Sequence, residues 1–296
     1  MWKYFLFLVA VHLLGRLPTR VLYVLAAVAG DLAYLFARHL RRNVWDNMRH
    51  VMGPNTPKKE LRRAARQVFR NTARYYADLI RLPHLNVQKF FDQRLIYHGL
   101  DEYALPALSN GKGVIITSAH FGNPILAIQG LLAKGLQTTV LTERLQPPAL
   151  SRLVDSLRSS QGHTFLPVSV SSVKLALRTL KAGGVVGVMC DRDIEGRSLV
   201  VPFCGTPASM PLGAVDLAMR TDAALIPVFS YRRNGGAVEV FLEPPLEMIH
   251  TGDPQADLKT NVRRLLEHFE PHLRTDPGQW TVLEAVWEGG RETDES

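Results

Sequence analysis

The sequence predicts an α/β protein: a mostly parallel central sheet flanked by helices, with an N-terminal membrane-associated helical segment. Three observations carry this reading. From residue 112 onward, short and nearly continuous apolar runs alternate with stretches of helical periodicity, the pattern of strands buried on both faces between crossover helices. The first 40 residues are apolar but interrupted by charge. The charge itself is divided: residues 1–100 hold 17 Lys+Arg against 5 Asp+Glu, a balance of +12, while the rest hold 18 against 22, a balance of −4. A basic half of this kind is built to meet an anionic surface. The chain of 296 residues is expected to divide into a membrane-associated helical segment (1–42), one α/β domain (43–287) and a disordered tail, "EGGRETDES" (288–296).

Taken in order, "YFLFLVAVHLL" (Tyr4–Leu14) is broken by His12 and followed by Arg16. "VLYVLAAVAG" (Val21–Gly30) runs into Asp31, and "LAYLFA" (Leu32–Ala37) resumes before Arg38, Arg41 and Arg42. Neither run reaches the ~18–20 uninterrupted apolar residues of a membrane span, and no small-residue cleavage site follows the first. A helical hairpin or one short helix in the cytoplasmic leaflet, with arginines at the headgroups, fits better. Two core helices of a soluble protein are the plain alternative. In "NTPKKELRRAARQVFRNTARYYADLIRLP", Thr56 is placed to cap a helix with Pro57 at its first position. Leu61, Ala65, Val68, Phe69, Leu79 and Ile80 recur at helical spacing to about Leu82. The polar face carries Lys58, Lys59, Arg62, Arg63, Arg66, Arg70 and Arg74, which suits anionic membrane lipid. No aromatic interleaving or base-reading motif points to nucleic acid.

Strands follow at 113–120, 138–143, 164–168, 185–191, 224–232 and 237–244. Helices fill the gaps near 124–134, 148–160, 171–182, 211–221 and 255–274. In such a sheet the chemistry gathers where strands end. Those ends carry His120, Glu143 with Arg144, and Asp191-Arg192-Asp193. Each alone has an ordinary structural reading; their meeting on one rim is what suggests a site. No G-x-S-x-G elbow, Walker A loop or G-x-G-x-x-G after a strand is present. Cys190 and Cys204 lack metal-ligand spacing and fit a reducing compartment. His268 and His272 stand four apart, but Pro271 is expected to interrupt that helix, so no metal site is assigned.

"SAHFGN" after a strand, "DRDIEGRSLVVPFCGTPASMPLGAVDLAMRTDAALIPVF" (Asp191–Phe229) and "RRNVWDNMRHVMG" resemble the lysophospholipid acyltransferase superfamily. The branch they resemble is that of the lipid A late acyltransferases and phosphatidylinositol mannoside acyltransferases. "TERLQPPALSRLVDSLRSSQGHTFLPV" (Thr142–Val168) looks closer to the mannoside type, and "DPGQWTVLEAVW" departs from the H-R-R-F ending of lipid A enzymes. The resemblance runs from about residue 10 to Trp287 and makes 43–287 an acyltransferase-like domain.

The resemblance implies transfer of a fatty acyl group to a hydroxyl of a glycolipid or lysophospholipid, at the cytoplasmic face of the plasma (inner) membrane. The co-substrate would be acyl-CoA or acyl carrier protein, with no further cofactor. It implies His120 as general base, with Glu143, Asp191 and Asp193 as catalytic carboxylates. Asn123, Arg158, Arg192, Phe203 and Gly205 would bind substrate, Gly205 through a left-handed turn. A surface arginine on a helix is the plain alternative for Arg158. Backbone N–H groups after His120 are expected to stabilise the oxyanion. In the family an Asp or Glu five residues after the histidine orients the imidazole; here that place holds Ile125. Two readings stay open: another rim carboxylate supports His120, or the protein has given up transfer and binds lipid or acyl chains.

Overall fold

The computed structural model describes residues 8–287 apart from 10, 194 and 195. The tail expected at 288–296 and the start of the first apolar run lie outside the described residues. Among the described residues there are nine strands: β1 (Leu95–His98), β2 (Val114–Ser118), β3 (Thr138–Thr142), β4 (Thr164–Pro167), β5 (Val185–Met189), β6 (Ser198–Phe203), β7 (Thr206–Pro211), β8 (Ala224–Arg232) and β9 (Val238–Leu242). Seven form one sheet in the order β1-β9-β8-β2-β5-β3-β4, and β6–β7 make a separate antiparallel ribbon. Within the sheet every pairing is parallel except β8–β9. The mostly parallel sheet expected from the apolar runs is therefore present.

Alternation along the central strands feeds two cores. Ile115 and Leu225 belong to one apolar cluster, while Val114 and Ile226 belong to the other. Period-2 side chains on a sheet covered on both faces require this. The covering helices are α1 (Thr19–Phe36), α2 (Arg38–Met52), α3 (Lys58–Arg81), α4 (Val87–Arg94), α5 (Leu105–Ser109), α6 (Pro124–Gln129), α7 (Pro148–Ser159), α8 (Val170–Lys181), α9 (Gly213–Thr221) and α10 (Pro254–Thr275). β1 and the β6–β7 ribbon were not foreseen. β1 is four residues long at an edge, and Pro202, Pro207 and Pro211 argue against strands in the ribbon.

The N-terminal region departs from expectation in an instructive way. Asp31 does not break the apolar runs, because α1 continues through it as a helix of 18 residues. Its carboxylate is bonded by both Arg66 and Arg70 of α3 at 2.6–2.7 Å. By length and composition α1 can cross a membrane, and only 17% of it is buried. Its buried edge, Leu22, Ala26, Gly30 and Tyr34, packs on α3. A Cβ on Gly30 would lie 2.7 Å from Arg70 Cα, so the two helices touch where the side chain is missing. Thr56 does not cap α3; its hydroxyl donates to the Met52 carbonyl, and Pro57 holds the cap position. The boundary expected at 42/43 falls inside α2, whose Val44 and Met48 are core residues.

This packing sets a test. Gly30→Val should force α1 away from α3 and lower stability by ~1–3 kcal/mol, the usual cost of overpacking. Denaturant unfolding in detergent measures it; an unchanged midpoint would show that the helices do not meet at Gly30.

Candidate active site

β2 delivers the chain to the rim, and the turn after it is held atom by atom. The His120 carbonyl accepts from Thr281 N at 2.8 Å and Thr281 Oγ1 at 2.9 Å. Phe121 N–H donates to the Ala119 carbonyl, Gly122 N–H to the Gln279 carbonyl and Asn123 N–H to Ser230. Gly122 has φ +68, and a Cβ there would lie 1.4 Å from the Ser230 oxygen, so only glycine fits. Asn123 Oδ1 then accepts from Leu126 N and caps α6. These contacts overturn one expectation. The N–H groups of Phe121, Gly122 and Asn123 are engaged within the fold and do not face a reacting oxyanion.

A carboxylate does meet His120, from just beyond the end of β5. His120 Nδ1 lies 2.7 Å from Asp191 Oδ1, and the His120 N–H donates to Asp191 Oδ2 at 2.8 Å. Trp280 Nε1 donates to the same Oδ2 at 2.8 Å. Asp191 is 0% exposed. Burial alone would raise its pKa, yet the His120 charge and these hydrogen bonds outweigh it and hold the carboxyl below its ordinary value. With Nδ1–H committed to a carboxylate, Nε2 is the basic nitrogen of the neutral ring. Ile125 is buried in the apolar cluster beside Leu126 and Ala127.

His120 stands in the wall of a cavity of about 440 Å³. The cavity runs over Ile116, Val140 and Val188 toward Leu131, Leu242 and Tyr97, so most of its wall is apolar. Glu143, Arg158, Arg192 and Asp193 line it too. Glu143 pairs with Arg192, which also lies 3.3 Å from Glu284; it does not bond His120. Asp193 accepts from Gly196 N–H at 2.9 Å. Arg158 donates to Tyr75 OH at 2.9 Å and lies 3.5 Å from Asp155, so it is a cavity residue and not a surface arginine. Burial, opposed by Arg158, leaves the Asp155 carboxyl above its ordinary range.

Three residues expected at the substrate lie elsewhere. Asn123 is fully buried behind the turn, with its amide on Asp78. Phe203 is fully buried, stacked on Trp287 at 5.5 Å and edge-on to Trp280. Gly205 has the left-handed turn foreseen for it, φ +82, but at the tip of the β6–β7 hairpin. They line no part of the cavity. Conversely, Trp280, Asp78 and Arg232 were missed. Asp78 had a signal: a carboxylate between Ala77 and Leu79 on the apolar face of a helix.

Pro271 does not end α10, which continues to Thr275. His268 and His272 both bond the Glu243 carboxylate, and His272 Nδ1 meets Tyr231 OH at 2.8 Å. Partial burial would raise the Glu243 pKa, but the two histidines lower it to about 2. Among the described residues no cluster of His, Cys, Asp and Glu is arranged to hold a metal ion.

Residues 1–288 match the family described as bacterial lipid A biosynthesis acyltransferase. The phosphatidylinositol mannoside acyltransferase of Mycobacterium tuberculosis (strain CDC 1551 / Oshkosh) is 29% identical over 219 residues, covering 72% of this chain and 67% of the relative. That of Mycolicibacterium smegmatis (strain ATCC 700084 / mc(2)155) is 27% identical over 220 residues, covering 73% and 69%.

Glu243 gives a pH test. A carboxylate lowered from 4.5 to about 2 adds stability that is complete above 4.5 and is lost as pH falls toward 2. The stability difference between wild type and Glu243→Gln should therefore shrink as pH falls from 4.5 toward 2. A difference independent of pH would show that the two histidines do not stabilise the charged form.

Proposed function

The chain belongs to the bacterial lipid A biosynthesis acyltransferase family, and on that premise we propose that it is a membrane-associated O-acyltransferase. It moves a fatty acyl group from acyl-CoA or acyl carrier protein to a hydroxyl of a glycolipid or lysophospholipid. The names of its relatives favour a glycolipid acceptor. One observation carries the reading: His120, bonded through Nδ1 to the buried Asp191, stands at the wall of a mostly apolar cavity.

A hydroxyl is a weak nucleophile at neutral pH, so its proton must leave as the oxygen attacks. His120 Nε2 takes that proton while the oxygen adds to the thioester carbonyl. When the intermediate collapses, the C–S bond breaks and the imidazolium returns the proton to the departing thiolate. Asp191 keeps its proton-free charge throughout, holding the tautomer and stabilising the imidazolium. With the N–H groups of residues 121 to 123 engaged, the cationic donors at the cavity are guanidiniums, above all Arg192 between Glu143 and Glu284. The apolar length of the cavity suits an acyl chain, and the missing side chain of Gly187 widens it against Val140.

The same reading places the protein on a membrane surface. Val21, Val24, Leu25, Val28, Leu32 and Leu35 form an exposed apolar face on α1. Asp31 binds that helix lengthwise to the arginines of α3, whose charges are costly in hydrocarbon, so α1 lies along the interface and does not cross it. Two free cysteines fit the cytoplasmic face. An acyl-binding protein without transfer was the other reading of Ile125. The contact between Asp191 and His120 supports transfer over that reading.

The test is incubation of detergent-purified protein with acyl-CoA and lipid acceptors, followed by mass spectrometry. New acylated lipid is expected. His120→Ala should lower kcat by ~10²–10⁴, and Asp191→Asn by up to ~10⁴. Ile125→Asp should give no gain, because Nδ1 is already engaged. Wild-type turnover in His120→Ala would overturn the mechanism, and a gain from Ile125→Asp would show that Asp191 is not the acid.

A further inference from the structure

Behind the turn that carries His120 lies a closed polar ring that touches no part of the cavity. Asp78 of α3 is 4% exposed and Arg232 of β8 is 6% exposed. Asp78 Oδ2 accepts from Asn123 Nδ2 at 2.7 Å and from Arg232 Nη2 at 2.8 Å. Asp78 Oδ1 accepts from Tyr23 OH at 2.7 Å, and Tyr23 OH accepts from Arg232 Nη1 at 2.9 Å. The guanidinium also lies over the Tyr23 ring, 5.3 Å from its centroid. Tyr23 belongs to α1, the helix with the exposed apolar face, and Asn123 caps α6 three residues after His120. A second strand of contacts runs alongside: Arg232 N–H donates to Gln279 Oε1, and the Gln279 carbonyl accepts from Gly122 N–H.

A buried ion pair gives little net stability over an apolar pair of similar volume, because both charges lose their water. What it supplies is direction. Each bond here fixes the angle between two elements, and the ring joins four: α1, α3, β8 and the catalytic turn. We propose that Tyr23 is a positioning residue, which through Asp78 and Arg232 ties the membrane-facing helix to the turn holding His120. The seating of α1 on α3 then sets the geometry of the base, and a helix lifted from its place leaves the turn loosened. This rests on the transferase reading above, and the test separates the two.

Asp78→Asn would leave a buried guanidinium unpaired and can simply fail to fold. Tyr23→Phe is gentler, since it keeps the ring under Arg232 and removes only the hydroxyl. Two quantities are read on the full chain in detergent. The first is amide hydrogen exchange at Gly122 and Asn123, which needs no turnover. The second is kcat and KM with acyl-CoA, alongside binding to anionic phospholipid vesicles. In Tyr23→Phe, exchange at Gly122 and Asn123 should be about tenfold faster while the β5 amides are unchanged. kcat should fall about five- to tenfold, with KM and vesicle binding unchanged. Added to Asn123→Ala, the change should cost no further kcat, since both break one ring. Uniformly faster exchange in every element would mark Tyr23 as merely stabilising and overturn the proposal. So would unchanged exchange with unchanged kcat, or additive losses in the double variant. If the wild type transfers nothing, the transferase reading fails and the exchange at Gly122 and Asn123 decides this one alone.

Discussion

A carboxylate shut away from water must be surrounded by donors, and the demands of Asp191 reach far along the chain. It needs the His120 ring, the His120 N–H and the Trp280 indole. Trp280 is fully buried, packed edge-on to both Phe203 of the β6–β7 ribbon and Trp287. That places the closing segment against the rim, where Thr281 takes the His120 carbonyl and Asn43 and Asn47 of α2 hold residues 283 to 286. Of the ribbon, the closing segment and α2, Pro211, Thr281, Leu283 and Glu284 line the cavity, and the rest stand behind it. They hold the indole that holds the acid.

The site is thus built from two shells with different chemistry. Toward the cavity it offers one imidazole, several guanidiniums and an apolar wall. Behind it, the N–H groups of residues 120 to 123 are all engaged, and glycine at 122 lets the chain pass within contact of Ser230. A loop so bonded has little freedom to adjust, which suits the role proposed for His120, a base that meets a hydroxyl within hydrogen-bond reach.

Much of this could be read from the residues, and the failures have physical causes. The central strands announced themselves as apolar runs, and the rule of strand ends brought His120, Glu143 and Asp191 to one rim. Which of the carboxylates would meet the histidine was not readable, because that depends on β2 and β5 being neighbours in register, Ser118 opposite Met189. Position 125 misled for the same reason: spacing along one segment cannot report an acid arriving from another strand. Asn123, Phe203 and Gly205 were expected at the substrate but line no part of the cavity. The β6–β7 ribbon was hidden by its prolines. Asp31 was read as a break in an apolar stretch, when its partners Arg66 and Arg70 lie a whole helix away.

The most direct measurement is the ¹⁵N and ¹H NMR of the His120 ring in the full chain, compared with the Asp191→Asn and Ile125→Asp variants. If Asp191 is the group that orients the imidazole, the neutral ring carries its proton on Nδ1, and that proton resonates as one bonded to a carboxylate. The signal should vanish in Asp191→Asn and persist in Ile125→Asp. A neutral ring protonated on Nε2, or a signal indifferent to Asp191→Asn, would contradict it.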